Sequence, residues 1–253
     1  MFKWIKKIFN KPKPQTGFDF LKTDIHSHLI PGIDDGVKTL DDSIKIIESL
    51  YKLGYQKIIT TPHVMKGLYE NNSKNILNGL DLVRSELKSR GLNIHIDAAA
   101  EYYLDYNLEK IIKSEKLLTF GDNYVLVETS FVEAPLNFKD LIFKLQLSGY
   151  KVVLAHPERY HYLNLSDFQE LDSKSIFLQL NLLSLLGYYG SDAQIKSREL
   201  INKDLISFVG TDCHNIQQFN FYKECKFLKS FAQLAKSSRI LNSELQISTF
   251  CDK

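Results

Sequence analysis

Two histidines, His26 and His28, sit two positions apart in Asp24-Ile-His-Ser-His-Leu-Ile-Pro-Gly-Ile-Asp-Asp-Gly36, directly after an apolar stretch. On an extended segment, side chains two apart share a face, so these imidazoles can converge on one metal ion. Asp24 and Asp34 place carboxylates in the same short segment. A carboxylate there either joins the imidazoles at the ion or orients one of them from behind. A histidine pair alone also fits ordinary structural or exposed residues, so the remaining ligands have to come from elsewhere in the chain.

They do recur. His63 stands in Thr61-Pro-His63, Glu101 follows an apolar segment, and Glu128 ends Val125-Leu-Val-Glu128. His156 stands in Ala155-His-Pro-Glu-Arg159, and Asp212-Cys-His214 repeats the same-face spacing of residues 26 and 28. Taken singly, each has a plainer reading. His63 could close a turn, His156 could cap a helix, and Glu128 could be a charged strand boundary. Together, carboxylates and neutral imidazoles suit Mn²⁺, Zn²⁺ or Fe, whereas Mg²⁺ fits poorly with so many nitrogen ligands. Two or more such ions make hydroxide near neutral pH and clamp phosphoryl oxygens during in-line displacement. Arg159 adds a planar donor fork suited to phosphate, or else pairs with Glu158. His95, inside an apolar strand pattern, and His161, in a loop, fall outside the set and read as structural or surface residues. His161 follows Arg159 closely enough to line a substrate groove.

Seven apolar segments, at 18–24, 56–61, 93–99, 123–129, 151–156, 176–181 and 206–211, are predicted to be strands. Helical patterns are predicted at 39–53, 73–90, 106–116, 137–148, 166–173, 192–203 and 220–236, with Gly54 as a C-cap of the first. The strand interiors are mostly apolar rather than strictly alternating, as in a parallel sheet covered by helices. Strands alternating with helices indicate an α/β fold, a closed or nearly closed βα barrel, with a flat doubly wound sheet as the rival. The candidate ligands fall at or just after strand ends, which in a βα barrel share one face.

The bulk properties narrow the function classes. The 253 residues carry a formal net charge of +2 and 44% hydrophobic residues, with the basic residues dispersed, so no nucleic-acid partner is expected. Cys213, Cys225 and Cys251 are odd in number and lack CxxC spacing, which favours a reducing, cytoplasmic location over a disulfide scaffold. Neither a membrane-spanning run nor a signal peptide is read. Residues 1–17 stand apart from a single domain over 18–253. Five lysines interleave with Phe2, Trp4, Ile5, Ile8 and Phe9 before Pro12 and Pro14. Such a segment at 1–13 could rest on an anionic membrane surface or a partner, or be a plain extension.

These residues resemble the polymerase-and-histidinol-phosphatase (PHP) superfamily, and within it the bacterial capsule and exopolysaccharide protein-tyrosine phosphatases that act on autophosphorylated tyrosine kinases. The resemblance runs from residue 18 to about 215. It takes in Asp24–Gly36, Thr61-Pro-His63, Glu101, Glu128, His156–Arg159, Gln179-Leu-Asn181 with Ser184-Leu185 and Gly187 to Gly190, and Thr211-Asp-Cys-His-Asn215. It implies a distorted seven-stranded (β/α)7 TIM-like barrel of the PHP type and three divalent ions, Mn²⁺ first, with Fe or Zn²⁺ as alternatives. Carried over by position, His26, His28, Glu101 and Asp212 would hold one ion. Glu101 would bridge to a second, completed by Glu128 and His156, and Asp34, His63 and His214 would hold the third. Hydroxide bridging two ions would attack phosphotyrosine phosphorus, with Arg159 on the phosphoryl oxygens. Arg159, Asp34, His63 and Asp212 are the residues expected at the chemistry, and Asp24 is expected to orient a histidine. The implied partner is a phosphotyrosine-bearing tyrosine kinase at the inner face of the membrane.

One departure is visible. This branch often carries a second phosphate-binding arginine after Asp-x-His-Asn, but here the segment reads Asn215-Ile-Gln-Gln-Phe-Asn-Phe221. Gln217, Gln218, Arg198 or Arg239 are the candidates to replace it. A cysteine-dependent phosphatase requires arginine six positions after its cysteine, whereas Phe219 and Phe231 stand six beyond Cys213 and Cys225. The other readings are a small-molecule phosphoesterase such as a histidinol-phosphate phosphatase, or a non-catalytic subunit that retains metals. Tyr102, Tyr103, Tyr106, Tyr160, Tyr162, Tyr188 and Tyr189 are candidates to stack on an aromatic substrate.

Overall fold

Nine short strands, running parallel in every ladder, carry the site. They are β1 (Thr23–Asp24), β2 (Lys57–Thr60), β3 (His63–Val64), β4 (His95–Ala98), β5 (Glu101–Tyr103), β6 (Tyr124–Glu128), β7 (Lys151–Ala155), β8 (Phe177–Asn181) and β9 (Phe208–Gly210). The computed structural model describes residues 17–245; the basic segment at 1–13 and Cys251 lie outside them. The strands form two sheets, ordered β1-β2-β4 and β3-β5-β6-β7-β8-β9. Helices α1 (Leu40–Leu53), α2 (Ser73–Ser89), α3 (Tyr106–Ser114), α4 (Phe138–Leu147), α5 (Leu165–Ser173), α6 (Ser191–Asn202), α7 (Ile216–Cys225) and α8 (Lys229–Leu234) complete the α/β fold.

The two sheets arise because two of the seven expected apolar segments are continued by separate strands. Pro62 has no N–H to give to a ladder, and the chain breaks there between β2 and β3. Its neighbour breaks in step between β4 and β5. Pairing carries across the break through Ala99 N–H to Thr60 O at 2.9 Å and Glu101 N–H to Pro62 O at 3.1 Å. His63 and Glu101 are thereby set opposite each other as a register pair.

Two sequence expectations are corrected. The strand expected at 18–24 shrinks to β1, because Phe18 and Leu21 are buried in a turn instead. Phe18 packs on Tyr55 and Phe231, and an apolar run this short cannot tell a strand from a core-packed turn. The single helix expected at 220–236 is two, α7 starting earlier at a cap from Asn215 and α8 following a break at Leu228. Gly54 does close α1, in the left-handed region at φ 118°.

Strands β6 to β9 are largely apolar on both faces because the two faces bury different cores. Val125, Val127, Val152, Leu154, Leu178, Leu180 and Val209 face the helices. Leu126, Val153, Ala155 and Phe208 face inward with Ile25, Ile59 and Phe120. Along β8 the inward positions run Phe177, Gln179, Asn181, so the interior changes from aromatic to polar toward the strand ends.

β1 and β9 are joined by side chains more than by ladder bonds. Asn242, fully buried, donates to Thr23 O at 2.9 Å and Val209 O at 2.7 Å and accepts from Val209 N–H at 2.9 Å. Asp24 accepts from Thr211 N–H at 2.9 Å and Thr211 Oγ1 at 2.7 Å. Higher up, Asp212 N–H donates to His26 O, His28 N–H donates to Cys213 O, and Ser27 bridges Cys213. Asp24 thus fastens this seam rather than orienting a histidine. Asn242→Ala would strand three buried backbone groups, each costly to leave unpaired. Urea unfolding should show a loss of about 2–4 kcal/mol, and an unchanged midpoint would refute the fastening role.

Candidate metal centre

The polar ends of the inward faces meet in a cleft of ≈ 640 Å³ lined, among others, by Asp35, His63, Glu128, His156, Arg159, Asp212 and His214. Beneath it, four ligand atoms crowd together. His26 Nε2 lies 3.3 Å from His28 Nε2, 3.1 Å from Glu101 Oε2 and 3.3 Å from Asp212 Oδ1. His28 Nε2 lies 3.5 Å from Glu101 Oε2 and 3.4 Å from Asp212 Oδ1. An ion about 2.1 Å from tetrahedral ligands spaces them about 3.4 Å apart. His26 Nε2, His28 Nε2 and Glu101 Oε2 have that spacing already, and Asp212 Oδ1 keeps it to both imidazoles.

The tautomers agree with this arrangement. His26 Nδ1 donates to Gln179 Oε1 at 2.8 Å, His28 Nδ1 to Asp34 Oδ2 at 2.8 Å, and His214 Nδ1 to Asp212 O at 3.0 Å. With each Nδ1 committed as a donor, each Nε2 presents its lone pair. Gln179 Nε2 donates to Asn181 Oδ1 at 2.9 Å, and Asn181 Nδ2 donates to Asp212 Oδ2 at 2.7 Å. One polar chain along β8 therefore fixes both an imidazole and a carboxylate.

Two further groups adjoin the first. His63 Nδ1 lies 3.1 Å from Glu101 Oε2 and 3.0 Å from Glu128 Oε1, while His156 Nε2 lies 3.1 Å from Glu101 Oε1 and 3.8 Å from Glu128 Oε2. Yet His63 Nδ1, buried between two carboxylates, makes no hydrogen bond with either, and His156 Nδ1 is likewise buried without a partner. Buried polar atoms left this way are rare unless a ligand completes them. Asp35 Oδ1 lies 3.4 Å from both His63 Nε2 and His214 Nε2. His28, Asp35, His63 and His214 together form a group able to hold an ion, as do His26/His28/Glu101, His26/His156/Asp212 and His63/Glu101/Glu128.

Eight of the nine residues expected as ligands meet here, and Asp34 does not. Its carboxylate turns behind His28, accepting also from Gly36 N–H at 2.9 Å and His63 N–H at 3.1 Å. Gly36 allows this tight return: a Cβ there would lie 2.3 Å from His28 O and 2.5 Å from His28 Cβ. The adjacent Asp35 faces the cleft with its side chain 51% exposed. Nothing in the Asp-Asp spacing distinguishes the two, because the segment is a turn without strand alternation.

The electrostatics follow from dense burial. Burial disfavours the Glu101 carboxylate, but His26, His63 and His156 outweigh it and hold Glu101 well below the usual range. Burial and His28 lower the His63 imidazole, while Glu101, Asp35 and Glu128 raise it, leaving it at about 10. Burial also lowers His28, and Asp34, Asp212 and Glu101 carry it well above its usual value. His156 and Asp212 have left-handed backbones, at φ 34° and 53°. Each such position costs about 1–3 kcal/mol and persists where surroundings enforce it.

The other singled-out residues separate. Tyr103 and Tyr189 line the cleft, joined by Tyr69, which stacks on His63 at 5.2 Å. Tyr102 and Tyr160 are buried, accepting from Leu118 N–H and Thr129 N–H, and Tyr106 is exposed. His95 is exposed on β4, and His161 pairs with Asp192 outside the cleft. Arg239 pairs with Asp172, Arg198 is exposed on α6, and Gln218 lines the cleft with its Oε1 accepting from His214 N–H. Cys213 is buried, and burial pushes its thiol up to about 12, which excludes it as a nucleophile.

Residues 22–234 match the family described as "Capsular polysaccharide synthesis, CpsB/CapC". The chain is 32% identical over 204 residues to tyrosine-protein phosphatase YwqE of Bacillus subtilis, covering 79% of this chain and 80% of that protein. It is 27% identical over 238 residues to the putative tyrosine-protein phosphatase CapC of Staphylococcus aureus, covering 89% and 92%. A solved structure from work on YwqE of Bacillus subtilis and CpsB of Streptococcus pneumoniae, called unique metal-dependent tyrosine phosphatases, matches with a TM-score of 0.76. Its identity to this chain is 30%, with 88% of this chain and 90% of that chain covered. By sequence, fold and clustered ligands alike, the chain belongs to the CpsB/CapC family of capsular polysaccharide synthesis.

Proposed function

We propose that the protein is a metal-dependent protein-tyrosine phosphatase serving capsule or exopolysaccharide synthesis, its substrate a phosphotyrosine-bearing bacterial tyrosine kinase. The observation that carries the reading is the preset spacing of the His26–His28 pair to Glu101 and to Asp212, continued by two adjoining ligand groups around Glu101. In this reading His26, His28, Glu101 and Asp212 hold one divalent ion, Glu101, Glu128 and His156 a second, and Asp35, His63 and His214 a third. Mn²⁺ suits the mixed donor set, with Fe or Zn²⁺ as alternatives. Bound ions would supply a hydroxide near neutral pH and positive charge for the phosphoryl oxygens.

The chain's own residues do the rest. Gln179 and Asp34 fix which histidine nitrogen faces the ions. Asn181 and Arg159 hold Asp212 Oδ2, so that its Oδ1 points at the histidine pair. Arg159 presents its fork to the phosphoryl group, and Tyr69, Tyr103 and Tyr189 offer aromatic walls for a phenyl ring. Residues 18–253 act as one domain on a distorted seven-stranded barrel, a reading supported by the bonds that cross from β1 to β9. No described helix is long and apolar enough to cross a membrane. The proposed location is the cytoplasm, at the inner face of the membrane, with residues 1–13 as a surface contact.

Mn²⁺ supplied to metal-stripped protein should restore hydrolysis of phosphotyrosine peptides well above phosphoserine peptides and histidinol phosphate. A preference for histidinol phosphate would sink the protein-tyrosine assignment in favour of a small-molecule phosphoesterase. Asp35→Ala should lower bound metal by one ion per chain and cut turnover by about 100-fold or more. Asp34→Ala, which only frees the back of His28, should weaken metal affinity about 10- to 100-fold and recover in excess Mn²⁺. Elemental analysis and metal titration read both, and the reverse pattern would return Asp34 to the ligand set.

The pH behaviour has a definite sign. In ion-free protein, His28 and His63 have folded pKa values above the unfolded value of about 6.5. Their contribution to ion-free stability is therefore full below about pH 6.5 and, for His63, is lost as pH rises through about 10. Each must release its proton before it can ligate. Metal uptake at pH 7 should release protons and weaken as pH falls. Calorimetric titration of Mn²⁺ in two buffers of different ionisation enthalpy checks this, and identical apparent enthalpies would contradict it.

A further inference from the structure

Arg159 lies over two aromatic rings at once. Its Cζ is 4.2 Å from the Phe131 centroid and 4.3 Å from the Tyr189 centroid, and Nη1 donates to Asp212 Oδ2 at 3.3 Å. The rings come from separate segments, the β6–α4 connection and the turn before α6, and all three side chains line the cleft. Each ring is itself braced. Phe131 packs on Tyr160 at 5.9 Å and His156 at 5.6 Å, and its carbonyl accepts from His161 N–H at 3.2 Å. Tyr189 packs on Tyr188 at 5.1 Å, and its hydroxyl lies 3.5 Å from Asp212 Oδ2.

A guanidinium carries its hydrogen-bond donors in its plane, whereas an aromatic ring attracts the cation through the ring face. Rings can therefore immobilise an arginine without using up the donors that a phosphate needs; a set of carboxylates holding it equally firmly would consume them. Among the described residues lining the cleft, Arg159 is the sole lysine or arginine. Freezing one fork in advance has more value where no second one shares the task, because the ordering cost is not then taken from phosphate binding.

We propose that Phe131 and Tyr189 are positioning residues that clamp the Arg159 guanidinium and aim its donors at a phosphate in the cleft. The proposal rests on Arg159 being a phosphate ligand. It is tested with the full chain loaded with Mn²⁺, by calorimetric titration of inorganic phosphate, with metal content assayed for every variant. Phe131→Leu and Tyr189→Leu should each weaken phosphate binding about 5- to 10-fold with metal content unchanged. Phe131→Tyr and Tyr189→Phe keep a ring and should stay within about twofold of the parent. Adding Phe131→Leu to Arg159→Ala should cost nothing further, because the ring acts only through the arginine. Parental affinity in both leucine variants, a loss from Phe131→Leu that persists without Arg159, or loss of metal on Phe131→Leu would overturn the clamp alone. Parental affinity in Arg159→Ala would overturn the phosphate role of Arg159, and the clamp with it.

Discussion

Glu101 is the point on which the rest of the structure depends. Fully buried, it lies within 3.5 Å of four imidazoles, His26, His28 and His63 at Oε2 and His156 at Oε1. A carboxylate without water is strongly disfavoured unless positive charge surrounds it. The histidines come from three strand ends, and His26, His28 and His63 provide that charge as imidazolium when ions are absent. Such an arrangement ties folding and metal binding together. Whatever holds Glu101 in place also sets the distances between the ligand groups.

What holds it is strand pairing that continues past a backbone break. Were β2 and β4 unbroken, His63 and Glu101 would belong to the same ladder as Lys57 and His95. The break at Pro62 splits the ladder in two but keeps its offset, so that His63 faces Glu101 above the break as Lys57 faces His95 below it. The left-handed turns at His156 and Asp212 occur at the same level. All three irregularities lie where the interior changes from apolar to polar, and the seam through Asn242, Asp24 and Thr211 joins β1 to β9 just below. Regular strands support the site from beneath, and strained or interrupted backbone aims the side chains.

Much of this was legible in the sequence because it depends on residue type at strand ends. Apolar segments marked the strands, and acids and imidazoles just beyond them marked the candidate ligands from His26 to His214. What escaped is what a linear pattern does not encode. The choice between Asp34 and Asp35 is made by a turn whose direction is set by the tight approach of Gly36 to His28. Asp24 looked like a partner for histidine by proximity in sequence, but its partner Thr211 is almost the whole chain away. Tyr69 and Phe131 carry no chemical signal of their own, and only the fold brings them against His63 and Arg159. Gln179 and Asn181 were noticed only through a resemblance, although their alternation on β8 with Phe177 places all three on one inward face.

The missing second arginine becomes intelligible on charge. Of the residues lining the cleft, Asp35, Glu128 and Asp212 are acids and Arg159 is the one cation apart from histidines. Counting the His63 imidazolium of the ion-free protein beside Arg159, that lining sums to 2 − 3 = −1, a surface that repels a phosphate dianion. Neither Arg239, engaged with Asp172, nor Arg198, exposed on α6, reverses that sign. Only cations drawn in by the acids themselves can do so. Substrate affinity in this chain is therefore subordinate to metal loading. A relative with a second arginine in the cleft would lose that net repulsion even without ions. Here the one guanidinium in the described lining, lying over Phe131 and Tyr189, cannot by itself make the cleft attractive to phosphate.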